Sequence, residues 1–326
     1  MITTPFLADR SGKQIDVVAA IERYGLLAFC AVLVLLTAAV SPGFRSSTNL
    51  QNVLTNVAPL AIVVLGQSMV ILVRGFDLSV SSVMATAAVI ATQFEGFGAL
   101  AFPLTLLATL FMSLVVGLAN GFLVTKRDMS PFLATLATMI VLQGLRFAWT
   151  RGAPSGRVPP ELQLIGAGQF FGVPVNLLVL AVLTLIVWVA LAKTPFGRRV
   201  YMVGGGPRAA ELVGVNVDRT MIACYVASAV LAGVGGLVLV GYVSGVDNWV
   251  GRGYELDSIV AAVMGGVALS GGRGSVLGGI LGAFLLTVIF NIVLLLGFPV
   301  QLQFVVKGLI IILAMAVYRL GGGAAG

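Results

Sequence analysis

The sequence predicts an all-α polytopic membrane protein with about ten transmembrane helices. Three observations predict it. The 326 residues are 59% hydrophobic and only 10% charged, where soluble domains carry about 25% charged residues, and the mean hydropathy is +1.08. Apolar runs recur near the roughly 20 residues needed to span hydrocarbon. The 41 glycines are well above the roughly 7% average and suit closely packed and broken membrane helices. Composition also excludes several functions. Histidine is absent and both cysteines, Cys30 and Cys224, lie in apolar segments. A disulfide framework, a zinc site and a Ser-His or Cys-His nucleophile are therefore unsupported, and no metal site is expected. The net charge of +7 does not indicate nucleic acid as a partner, because the basic residues sit in loops between apolar runs and face an anionic lipid leaflet.

In chain order, residues 1–23 form a polar leader containing Arg10, Lys13 and Arg23. The apolar run from Tyr24 is long enough to span, and no small-residue cleavage site follows it, so it reads as a retained first helix rather than a signal peptide. The transmembrane domain extends over 24–319, with spans near 24–40, 50–73, 78–94, 99–124, 130–149, 175–192, 220–244, 256–270, 276–297 and 301–318, and a flexible tail at 320–326. The third and eighth spans are short and the second contains Pro59. With a cytoplasmic N-terminus, thirteen of the nineteen basic residues fall inside (Arg74, Lys126, Arg127 and Arg273 among them) and five outside: Arg45, Arg146, Arg151, Arg157 and Arg252. The positive-inside rule then places both termini in the cytoplasm. Lys307 lies within the last span, where it snorkels outward or pairs with Asp257 or Glu255.

Outside, Gly152 to Pro174 carries four prolines and an amphipathic middle. It reads as an interfacial loop or short surface helix, or as part of a landing surface for an external partner, to which the polar and aromatic stretch Asp247 to Asp257 adds. Gly75 to Ala85 and Ala268 to Gly279 each place a glycine- and serine-rich break before a short span, with the parity of an inverted-topology repeat.

Inside, the longest polar stretch of the second half is Lys193 to Thr220, with five basic residues: Lys193, Arg198, Arg199, Arg208 and Arg219. It contains a short helix with written ends. Gly206 suits the N-cap, Pro207 the first helical position, and Gly214 the C-terminal stop. A helix this short is marginal alone in water, so the membrane domain or a partner must hold it. The stretch is either an ordinary connection or a docking helix that receives force.

Two further loops have motif character. In the segment Arg74 to Val80, Asp77 or Ser79 can cap the next helix; the alternative is Asp77 as an ion or proton site, with Arg74 near enough to neutralise it. Ser270 to Ser275, SGGRGS, superficially resembles a phosphate cradle, but a GxxxxGK[ST] spacing occurs nowhere in the chain. It is a glycine-rich hairpin, and the chain cannot hydrolyse ATP by itself. Polar groups within spans are sparse: Asn52, Asn56, Gln67, Asn120, Gln143, Asn291, Thr135 and Thr138. Such groups usually hydrogen-bond between helices. Asn56, Gln67, Asn120, Gln143 and Asn291 are the candidates for lining a translocation path.

GFDLSV, GVNVDRT and GYELDSIVAAVMGGVALSGGRGSVLGGILGA together resemble the permease subunits of bacterial ATP-binding cassette (ABC) importers for monosaccharides, the ribose-type group. The resemblance runs from about Leu50 to Tyr318. Ser81 departs from it, since a glycine is more usual there. The resemblance implies a ten-span permease paired with a second copy or paralogue, a cytoplasmic ATPase subunit that binds ATP and Mg, and a periplasmic sugar-binding protein. The chain itself then needs no cofactor. It also implies a coupling helix in the loop between spans six and seven, here Pro207, Arg208, Ala209, Ala210, Glu211 and Leu212, closed by Gly214. The expected function is alternating-access import of a monosaccharide or similar polyhydroxy solute. The alternative from another class is a secondary transporter coupled to protons or sodium, which the scarcity of carboxylates within spans disfavours. An intramembrane enzyme lacks any paired acid and base.

Overall fold

The computed structural model describes residues 41–299 continuously, together with 6–8, 14–16, 31–32, 34–39, 301–305 and 308–309. The first and tenth expected spans fall largely outside the described residues, as do most of the leader, Lys307 and the tail. Within the leader, β1 (Phe6–Ala8) pairs antiparallel with β2 (Gln14–Asp16).

Among the described residues six helices are long and apolar enough to cross a membrane. They are α1 (Ser47–Leu72), α3 (Ala101–Lys126, continuing a 3-10 turn from Glu95), α4 (Pro131–Thr150), α6 (Val175–Lys193), α9 (Val217–Val243) and α11 (Val276–Leu295). The third and eighth expected spans are only half-length. Helix α2 (Val80–Ile90) and helix α10 (Tyr254–Met264) have 11 residues each, about 16 Å at 1.5 Å per residue, against a hydrocarbon core of about 30 Å. Non-helical backbone at 73–79 and 265–275 carries the chain alongside them, which a membrane protein tolerates only where protein covers it. The two breaks differ in order. The first precedes its short helix, as expected, whereas the second follows the short helix and precedes the 20-residue α11.

Helices α1 and α9 form the centre. The apolar window of α1 is 83% buried and that of α9 is 61% buried, whereas that of α4 is 17% buried and presents its side chains outward. Glycine lets these helices approach. A Cβ at Gly66 of α1 would sit 2.7 Å from Ser228 Cα, and one at Gly117 of α3 would sit 2.5 Å from Val226 Cα. On α3 the residues Thr105, Thr109, Ser113, Gly117 and Gly121 recur every fourth position, so small side chains line one face. Thr105, Thr109 and Ser113 are fully buried.

Pro59 sits inside α1 without ending it. Lacking an N–H, it leaves the Thr55 carbonyl without its helical donor. The Asn176 amide on α6 supplies one at 2.9 Å and also donates to the Gly166 carbonyl at 3.2 Å. This cross-helix donation lets α1 run 26 residues through a proline.

The polar stretch after α6 holds two helices rather than one. Helix α7 (Pro195–Gly205) is N-capped by Thr194, and α8 (Pro207–Leu212) by Gly206. Helix α8 ends as expected: Gly214 has φ 82° and its N–H donates to the Glu211 carbonyl at 2.9 Å. The proline-rich stretch 152–174 forms the short helix α5 (Pro160–Ala167) and a tight hairpin, β3 (Gln169–Phe170) with β4 (Val173–Pro174).

Candidate functional site

Three loops that are far apart in sequence meet at the end of the bundle that carries α7 and α8. Arg74, in the left-handed region at φ 66°, reaches across to α7. Its Nε donates to the Gly204 carbonyl at 2.7 Å and its Nη2 to the Gly205 carbonyl at 2.9 Å. The Gly272 N–H of the glycine-rich hairpin donates to the Leu72 carbonyl at 2.9 Å. Gly204 is pressed so closely against Leu72 O and Gly272 N that a Cβ there has no room. The Tyr201 hydroxyl donates to the Gly274 carbonyl at 3.0 Å, and burial pushes its phenol pKa up, which keeps it a donor. The result is one polar junction joining the C-terminal end of α1, the break before α2, the end of α7 and the hairpin before α11. Arg74 spends its guanidinium on this junction, and among the described residues it forms no ion pair with Asp77.

Asp77 is completely buried. One carboxylate oxygen accepts from the Ser79 N–H at 3.0 Å and the Ser79 hydroxyl at 2.6 Å; the other accepts from Ser228 on α9 at 2.9 Å. Asn120 on α3 donates to the Ser79 hydroxyl at 2.9 Å. Leu78 N–H is taken up by Thr135 at 3.1 Å. The break before α2 is thus tied to α3, α4 and α9 through side chains. The N-cap of α2 is Ser79, without a side-chain capping bond; Asp77 instead closes a local turn onto Ser79 and reaches the central helix.

Of the five path candidates, Gln67 and Asn120 are wholly buried, and Asn120 is committed to the Asp77 network. Asn56 and Asn291 line one cavity of about 250 Å³ with Tyr254 and Asp257. Asn291 is held there by a reciprocal amide pair with Asn49, at 2.8 and 3.2 Å. Gln143 lines a second cavity, of about 330 Å³, with Ser81, Arg146, Trp249, Arg252 and Glu255. Helix α10 separates the two, offering Glu255 to one and Asp257 to the other. Arg146 is not a loop residue. It lies within α4, 3% exposed, and donates to Ser82 O, Thr86 Oγ1 and Asn248 O at 3.2, 3.3 and 3.0 Å. The roles of Asn49 and Asn176 are not legible in the sequence, because their partners lie 242 and 121 residues away. A polar amide in an apolar run was the only signal available.

On α8, Ala210 is buried while Leu212 and the adjoining Val213 are 85% and 70% exposed. Between α7 and the start of α9 lies a cavity of about 560 Å³ whose walls include Arg198, Arg199 and Arg219. At the same end, Lys126 pairs with Asp218.

A family profile described as the permease component of a branched-chain amino acid transport system matches residues 49–315. The ribose import permease protein of Bacillus subtilis (strain 168) is 34% identical over 309 residues, covering 94% of this chain and 96% of its own. The galactose/methyl galactoside import permease protein of Haemophilus influenzae is 33% identical over 297 residues, covering 86% and 88%. A probable ABC transporter permease protein of Sinorhizobium fredii is 37% identical over 300 residues, covering 90% and 89%. No solved structure matches. The chain belongs to this family of ABC importer permeases: it is a multi-pass membrane transport component and not an enzyme.

Proposed function

We propose that this chain is the transmembrane permease subunit of an ABC importer for a monosaccharide or similar small polyhydroxy solute, working by alternating access driven by a separate ATPase subunit. The family profile is described for branched-chain amino acids, but relatives named for ribose and galactose match over nearly the whole chain, which favours a sugar. The single observation that carries the mechanism is α8. A six-residue helix exposing Leu212 and Val213 on a polar loop is poorly suited to water alone and well suited to a partner's groove. Basic side chains crowd its end of the bundle, so that end faces the cytoplasm by the positive-inside rule, and the membrane is the bacterial inner membrane.

In this reading Pro207, Arg208, Ala209, Ala210, Glu211 and Leu212 engage the ATPase, with Ala210 toward the bundle and Gly214 returning the chain to α9. ATP and Mg bind on that partner, and closure of the ATPase pushes α8. The push passes through Gly204 and Gly205 to Arg74 and through Gly204 and Tyr201 to the glycine-rich hairpin, and so reaches both broken segments at once. The two cavities beside α10 then offer asparagine, glutamine and hydroxyl groups to a hydroxylated solute. A periplasmic binding protein delivers that solute to the opposite end, where the aromatic hairpin around Phe171, 92% exposed, belongs to the landing surface. A second permease copy or paralogue completes the path. Shifting a two-state equilibrium from 1:99 to 99:1 takes about 5.5 kcal/mol, which ATP and partner binding supply.

The test is uptake into proteoliposomes containing this chain, its ATPase and its binding protein. Accumulation that requires internal ATP and is indifferent to proton and sodium gradients supports the reading. Accumulation driven by an ion gradient without the ATPase contradicts it and supports a secondary carrier.

A further inference from the structure

The cavity that Gln143 lines contains a charge that the protein leaves uncompensated. Arg146 is buried in α4, and its three hydrogen bonds among the described residues go to two backbone carbonyls and a hydroxyl, all neutral. Its Nε is buried and has no hydrogen-bond partner, and among the described residues no carboxylate lies within ion-pair distance of it. A buried guanidinium without a counter-charge is costly, and a bound carboxylate relieves that cost with charge-assisted hydrogen bonds.

The other walls favour the same kind of ligand. Arg252 adds a second guanidinium, stacked 4.7 Å from the Trp249 ring centroid. Among the described residues Glu255 is the only acidic wall residue, and one of its carboxylate oxygens accepts from the Gly253 N–H at 2.9 Å. Ser81 and Gln143 make no side-chain hydrogen bond among the described residues, leaving a hydroxyl and an amide free for a ligand's hydroxyls. At about 330 Å³ the cavity falls at the small end of the range that holds small molecules.

From these observations we infer that the cavity lined by Arg146, Gln143 and Ser81 is a binding site for a carboxylate-bearing polyhydroxy solute, an acid sugar of the aldonate or uronate type, whose carboxylate meets Arg146. This deepens the sugar-importer reading and rests on it for its transport role, whereas the binding itself does not require it. Nothing in a neutral monosaccharide compensates the guanidinium.

The experiment compares D-gluconate with D-glucitol, which differ only in carboxylate against hydroxymethyl, by saturation-transfer NMR titration on the full chain in lipid nanodiscs. Acetate serves as a carboxylate without hydroxyls. The expected result is that gluconate binds at least about tenfold more tightly than both, consistent with the strength of charge-assisted hydrogen bonds. That preference should be lost in Arg146→Gln and partly kept in Arg146→Lys. Ala85→Phe, at a wall position that makes no hydrogen bond to Arg146, should fill the cavity and abolish binding, and decides the matter if Arg146→Gln does not fold. Equal binding of gluconate and glucitol, no binding of gluconate, or gluconate binding unchanged in Ala85→Phe would overturn the inference. Failure here with ATP-driven uptake of a neutral sugar intact removes this site alone. Arg146-dependent gluconate binding without ATP-driven uptake removes the transport mechanism and leaves the site.

Discussion

Arg74 donates to the Gly204 carbonyl at 2.7 Å across 130 residues of sequence. It does so from a left-handed backbone conformation at φ 66°, which is unfavourable for a non-glycine residue. The same guanidinium also holds the Gly205 carbonyl. These are the last two residues of α7, immediately before the Gly206 N-cap of the short helix proposed to dock the ATPase.

Arg74→Ala should therefore uncouple the two halves of the machine. Hydrogen bonds to charged groups contribute about 1.5–3 kcal/mol each, so losing two should lower ATP-driven uptake by roughly tenfold or more. The ATPase should still co-purify, since α8 keeps its surface. Uptake and ATPase retention measured on one preparation separate the two effects.

Gly204→Ala and Gly205→Ala form a matched pair. A Cβ at Gly204 collides with Leu72 O and Gly272 N, whereas one at Gly205 meets nothing within 4 Å. Thermal unfolding in detergent should show Gly204→Ala destabilised by about 1–3 kcal/mol, the usual cost of overpacking, and Gly205→Ala close to the wild type.

Asn176→Leu removes the donor to the Thr55 carbonyl that Pro59 strands, and should cost about 1–3 kcal/mol. Adding Pro59→Ala restores an N–H at position 59 that can take the Thr55 carbonyl within the helix. The double variant should recover part of the loss, and a double-mutant cycle on unfolding midpoints measures it. Strict additivity would mean that the two residues are not coupled.

Asp77→Ala leaves the Ser79 N–H and the Ser79 and Ser228 hydroxyls without their buried acceptor, so expression and thermal stability should fall. Ion dependence of uptake should not change, because Asp77 is a structural tie between α2 and α9. A variant that folds normally but changes a proton or sodium requirement would reassign it as a coupling site.

What could be read in the sequence was what is local. Gly206, Pro207 and Gly214 mark the ends of α8 through backbone preferences that do not depend on the rest of the fold, and the basic loops mark one end of the bundle. Helix α7 carries a comparable start, Thr194 followed by Pro195, but it lies within a polar stretch that reads as loop. The third and eighth spans read as short, but their contraction to the 11 residues of α2 and α10 does not show, because an apolar run stays apolar when its backbone leaves the helix. Arg146 counts among the outer basic residues by its place near the end of its span, but its partners Ser82 and Asn248 bury it. Asn120 could be recognised as polar, but whether it faced a path or Ser79 depended on contacts 41 residues away. Pairing across a bundle is set by packing, which one sequence does not display.

Co-purification of this chain with its proposed ABC ATPase partner, comparing wild type with Leu212→Asp, tests the docking of α8 most directly. Leu212 is 85% exposed, so the variant should leave the fold and the monodisperse detergent peak unchanged. A stable complex is expected for the wild type, and loss of the ATPase from the variant. A variant that retains the ATPase as well as wild type does would contradict the docking assigned to α8.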